Sequence, residues 1–146
     1  MKKTVVSFLC LIALFLVIWH ATAQDQPGYV VIAHEDNPAT SVEKAQLSKM
    51  LMKKVSRWDD GTRVEPVDQG PRQAVRAVFS KEVHGRSVSA IKSRWQSQIF
   101  SGKGVPPLEV ASDREVIDFV KTHRGGVGYI SRSTSADGVK ELTVVE

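Results

Sequence analysis

Short apolar runs rich in β-branched residues alternate with segments of helical period from residue 29 to residue 145, and a chain with that rhythm folds as a sheet covered by helices. The run Tyr29-Val30-Val31-Ile32-Ala33 reads as a strand buried on both faces. Asn37, Pro38 and Ala39 break it, and Thr40 with Glu43 three residues on predicts a capping box opening a helix that ends near Lys54. Trp58-Asp59-Asp60-Gly61 makes a turn and residues 63–67 a second strand. Pro71 suits the first position of a helix that packs Ala74, Val75, Val78, Phe79 and Val83 and stops at Gly85. Val88, Ile91, Trp95 and Ile99 give a third helix its inner face. After a short strand at residues 108–110, Ser112 and Glu115 form a second capping box before Val116, Phe119 and Val120. Residues 127–130 read as another buried strand, and residues 139–145 as a strand at the sheet's edge. The expected class is α/β, a small mixed sheet flanked by helices.

The first residues carry the marks of an export signal. Lys2 and Lys3 precede an uncharged apolar run over residues 5–19, and Ala21-Thr22-Ala23 offers a small-residue cleavage site. That run is shorter than the roughly 20 residues that span a bilayer. The expectation is therefore a signal peptide over residues 1–23 and a periplasmic or secreted domain over residues 24–146, with no membrane span in the mature chain. The only cysteine, Cys10, leaves with the signal, so the remaining chain has neither a disulfide nor a thiolate metal site and depends on its apolar core. Loss of Lys2 and Lys3 leaves 18 basic against 16 acidic residues, too even a balance for a protein that coats nucleic acid.

Several stretches then stand in a telling order. They are the opening strand, Asn37-Pro38, Trp58-Asp59-Asp60-Gly61, Val64-Glu65-Pro66-Val67-Asp68, Ala77-Val78-Phe79, Trp95, Ile99-Phe100-Ser101-Gly102-Lys103-Gly104, Pro106-Pro107, and Gly125-Gly126-Val127-Gly128-Tyr129-Ile130. In this order the chain resembles the phosphate-binding-protein-like family, exported single-lobe relatives of the substrate-binding proteins of phosphate ABC transporters. The resemblance implies one lobe of a type II periplasmic binding protein. It also implies a non-enzymatic role, binding phosphate or another oxyanion. Full receptors of this kind close two lobes over their solute, and this sequence has length for one.

The resemblance directs attention to the turn after the second strand, where the receptors hold phosphate on a serine-glycine-threonine turn feeding a helix. Here the stretch is Asp68-Gln69-Gly70-Pro71-Arg72. Gly70 lets a backbone approach a ligand and Arg72 offers a forked cation, but the hydroxyls are missing and Pro71 removes a donor. The turn reads either as an oxyanion subsite or as a plain strand-to-helix turn with a solvated arginine. Asn37, Thr40 and Ser41 are the second candidate group, either facing a ligand or simply capping a helix. His34, His84 and His123 lack the spacing of a zinc helix, and His84 and His123 suit helix C-termini, where positive charge is favourable. No nucleophile elbow or phosphate-binding loop is present. No metal and no cofactor is expected. Two functions follow: a binding protein for an oxyanion, or an interaction protein that meets an envelope partner or a second copy of itself across its exposed lobe face.

Overall fold

The computed structural model describes residues 28–146; the proposed signal peptide, its cleavage site and Cys10 lie outside the described residues. Six strands form one mixed sheet. In chain order they are β1 (Tyr29–Ala33), β2 (Ser41–Glu43), β3 (Glu65–Gln69), β4 (Leu108–Val110), β5 (Gly126–Ser131) and β6 (Lys140–Val145), arranged β2-β6-β1-β5-β3-β4. The helices are α1 (Lys44–Leu51), α2 (Ala74–His84), α3 (Val88–Phe100) and α4 (Asp113–Thr122). Strand β1 runs antiparallel to both its neighbours, pairing Tyr29 with Ser131 and Ala33 with Val127 on one side and Ala33 with Lys140 on the other. Strands β4, β3 and β5 are mutually parallel, as are β2 and β6.

Both faces of the sheet are covered, which explains why its central strands read as continuous apolar runs. Val31, Ala33, Val127 and Tyr129 pack with Leu47, Met50 and Leu51 of α1 and Val75, Phe79 and Val83 of α2. Ile32, Val67 and Ile130 face the other way, onto Val116, Ile117 and Val120 of α4. Helix α3 lies against α2 and buries Ile91 and Trp95. Phe79 stacks flat on Tyr129 with ring centroids 3.7 Å apart, and truncating it to alanine would cost about 3–5 kcal/mol. Two glycines set the packing. A Cβ at Gly128 would lie 2.7 Å from the Val116 side chain and 2.8 Å from that of Val67, and one at Gly125 would lie 1.7 Å from the Arg63 carbonyl oxygen.

The structure corrects the sequence reading at four places. Residues 41–43 are a strand, so α1 starts at Lys44, and Thr40 caps nothing; its carbonyl accepts the Thr143 N–H at 3.0 Å. The reason is Val42, which is buried once β2 lies along β6, and that pairing outweighs a cap. Pro71 lies three residues before the start of α2, with Gln73 at the cap position. Strand β6 is not an edge, because β2 adds beyond it. Ile99, expected on the inner face of α3, is 49% exposed, since that helix outruns the surface beneath it.

Candidate functional site

The carboxyl ends of β3 and β4 feed α2 and α4, so both helices begin at one end of the sheet. Asp68, Gln69 and Arg76 are buried at this end, around the buried Tyr129. Strands β3 and β5 are paired only at Glu65–Gly126 and Pro66–Val127. Further along, the Tyr129 carbonyl accepts a hydrogen bond from the Gln69 side-chain amide at 3.1 Å, so a side chain fills the gap where the strands part. The same amide donates to Asp113 at 2.5 Å, while Gln69 Oε1 is buried without a partner.

Asp113 is the first residue of α4, where a carboxylate suits the helix dipole. Its second oxygen accepts the Ser131 N–H at 3.1 Å and the Thr134 hydroxyl at 2.6 Å. Burial pushes this carboxyl up, but hydrogen bonds from Thr134, Gln69 and Ser131 together outweigh it and hold the group below its ordinary value. On the opposite face Arg76, 2% exposed, reaches Asp68 at 3.0 Å and Glu109 at 3.0 Å and also donates to the Gln69 carbonyl. Asp68 accepts the Tyr129 hydroxyl at 2.5 Å. Burial nevertheless raises Asp68, against the pull of Arg76 and of the hydrogen bonds from Tyr129 and the Gln69 N–H. Burial and the neighbouring Asp68 push the Tyr129 phenol up, so it stays a neutral donor. Two carboxyl groups, Asp68 and Glu109, thus hold the Arg76 guanidinium, and Asp113 forms a separate cluster with Gln69, Ser131 and Thr134.

The five residues singled out from the sequence fall into two groups. Gly70 lies beside this network, but its N–H donates to the Val110 carbonyl at 2.8 Å and its carbonyl accepts from Gln73 at 3.0 Å. Arg72 is exposed and has no hydrogen bond or ion pair among the described residues. Asn37 follows β1, which is antiparallel to β5, and lies at the other end of the sheet, whereas Thr40 and Ser41 lie on the far edge, with β6, β1 and β5 between β2 and β3. The structure therefore does not bring the five together. Asn37 is 4% exposed, its Oδ1 accepting the Ala39 N–H at 2.9 Å and its carbonyl accepting from Lys140. It lines an open cleft of about 490 Å³ with Glu43, Trp58, Asp59 and Asp60 among the other walls.

His84 also departs from expectation. It ends α2 but is kept neutral, its pKa lowered to about 4 by burial and then by Arg76, with the Ser48 hydroxyl 2.8 Å from Nδ1. Trp58 and Trp95 are core residues, and the Trp58 indole donates to the Gly125 carbonyl at 3.1 Å. Among the described residues no cluster of three or more His, Cys, Asp or Glu is placed to hold a metal, and no helix is long and apolar enough to cross a membrane.

A six-stranded mixed sheet with helices starting together at one end is the frame of a solute-receptor lobe. The chain belongs to the PBP superfamily, whose domain model matches residues 27–145. Similar folds occur in a Clostridium perfringens protein assigned as a phosphate ABC transporter substrate-binding protein and solved with bound phosphate (TM-score 0.65, 19% identity, 81% of this chain and 45% of that one). Others are an ABC-type phosphate transport receptor from Vibrio cholerae (TM-score 0.64, 17% identity, 81% and 46%) and PstS from Borrelia burgdorferi (TM-score 0.62, 12% identity, 81% and 47%). At these identities the likeness is one of fold. The chain spans less than half the length of these structures and has the fold of one lobe. No curated protein sequence matches it significantly.

Proposed function

We propose that this protein is an exported, non-enzymatic binding module that acts by contact with another envelope protein rather than by capturing a diffusible oxyanion. The observation that carries this reading is the self-sufficiency of the receptor end. Asp113 occupies the donors of Ser131, Thr134 and Gln69, while Arg76 is spent on Asp68, Glu109 and a carbonyl. An incoming phosphate would meet carboxylates that already fill an anion's place, and like charges in a desolvated site repel it. The expected transport leader is residues 1–23, which would deliver the domain to the periplasm or outside the cell.

Oxyanion binding at residues 70–72 is the second reading, favoured by one feature: α2 starts without a side-chain cap, beside the exposed Arg72. Calorimetric titration with phosphate and sulfate decides between them. The contact reading expects no saturable heat at millimolar anion, in the protein and in Arg72→Ala alike. Saturable binding that disappears in Arg72→Ala would overturn it.

A further inference from the structure

The cleft along the β2 edge of the sheet has its own chemistry. Glu43, Asp59 and Asp60 line it, and no lysine, arginine or histidine does. Asp60 is held ionised by hydrogen bonds from the Thr62 N–H and hydroxyl, while Glu43 and Asp59 make no ion pair or hydrogen bond among the described residues. Of the cations nearby, Lys140 donates to the Asn37 carbonyl and Arg57 to the Gly61 carbonyl, and Arg124 acts on Asp60 through its charge. Asn37 also lines the cleft, and with Oδ1 given to Ala39 its Nδ2 has no protein acceptor among the described residues and is open to the cleft.

One wall of the cleft is the sheet edge itself. Strand β2 pairs with β6 on one side only, and Ser41, Val42 and Glu43 all line the cleft. In a parallel ladder alternate residues address opposite sides, so with Val42 turned to β6 the backbone groups of Ser41 and Glu43 face outward. The apolar part of the lining, with Trp58 and Pro38, suits the aliphatic stem of a long basic side chain.

We infer that this cleft binds an extended polypeptide segment carrying lysine or arginine. The segment adds along the outer edge of β2, its basic side chains meet Glu43 and Asp59, and a backbone carbonyl accepts from Asn37 Nδ2. The inference rests on the contact reading and supplies its site and the chemistry of its partner.

The test uses the purified protein and the peptide acetyl-Thr-Arg-Val-Arg-Thr-amide, with a glutamine-for-arginine peptide and spermidine as comparisons. Fluorescence anisotropy should give saturable binding of the basic peptide, weakened about tenfold in the Glu43→Gln/Asp59→Asn double variant and further by added salt. The side-chain amide resonance of Asn37 should shift on titration. Glu43 and Asp59 are exposed, and circular dichroism should show the double variant folded like the parent. Equal affinity for the neutral peptide, or an unmoved Asn37 resonance, overturns the site. Spermidine binding as tightly as the peptide overturns the assignment to a polypeptide. A cross-linker placed at Phe100, remote from the cleft in sequence, separates the two levels. An envelope adduct unaffected by the double variant refutes this site while leaving the contact reading standing, whereas saturable phosphate binding refutes the contact reading itself.

Discussion

Three donors converge on Asp113, and removing that carboxylate leaves the buried Gln69 amide and the partly buried Ser131 N–H and Thr134 hydroxyl without it. Asp113→Ala should cost about 2–4 kcal/mol in urea unfolding, and formate or acetate should restore part of the loss by filling the space, seen as a rise in melting temperature absent from the parent. Because the folded-state pKa of Asp113 is depressed, its contribution is full above the ordinary carboxylate value and is lost as pH falls through the lower folded value. His84 acts in a different window. Its folded pKa of about 4 lies below the ordinary 6.5, so the unfolded chain takes up the proton first and stability declines as pH falls from 6.5 to about 4. His84→Gln should flatten that decline, by about 1–2 kcal/mol after allowance for partial exposure, in denaturation curves at pH 7 and pH 4.5. Little of the buried network was legible in advance. Arg76 did leave a trace, since it shares the stripe of Phe79, Ser80 and Val83 at spacings of three, four and seven, where a charge is out of place. Asp113 is not singled out by the sequence, because nothing local reveals that the end of β5 and the turn after it deliver Ser131 and Thr134 to it.

Two stretches with the same capping pattern took different structures, and they offer a direct comparison. At Ser112 the cap is real: its hydroxyl accepts the Glu115 N–H at 3.3 Å, and the Glu115 carboxylate reaches back to the Ala111 N–H. At Thr40 the chain is extended and Glu43 itself takes the cap position, without a side-chain bond. Ser112→Ala should therefore cost about 1 kcal/mol and Thr40→Ala less than about 0.5 kcal/mol, measured as shifts in urea midpoint. Element type was legible wherever a run was long and bounded, as for β1, α2, α4 and β5, whose glycine stops and apolar spacing agree with their tertiary surroundings. It failed at residues 41–43, where the decisive partner, β6, is a hundred residues away in sequence and no local pattern announces a parallel pairing. The pole-to-pole separation of Gly70 from Asn37 was hidden for the same reason, since strand direction is a property of the assembled sheet.

At the level of the molecule, the end of the sheet that starts α2 and α4 is neutralised from within, and the unpaired β2 edge bears an open acidic cleft. Gly125 locks the end of the sheet where β3 and β5 begin, because the Arg63 backbone passes where its side chain would be and its carbonyl holds the Trp58 indole. Gly125→Ala should destabilise by more than about 4 kcal/mol and be recovered mainly in the insoluble fraction, as seen on fractionated expression gels. Strand β1 also has a kinetic meaning. Its first neighbour begins only at Gly126 and its second at Lys140, so the earliest strand of the fold must wait for the last stretch of the chain to be made. Until then it has no mate to zip against. A polypeptide whose central seam closes last remains an open thread during synthesis, which is the form that a translocation channel can pass.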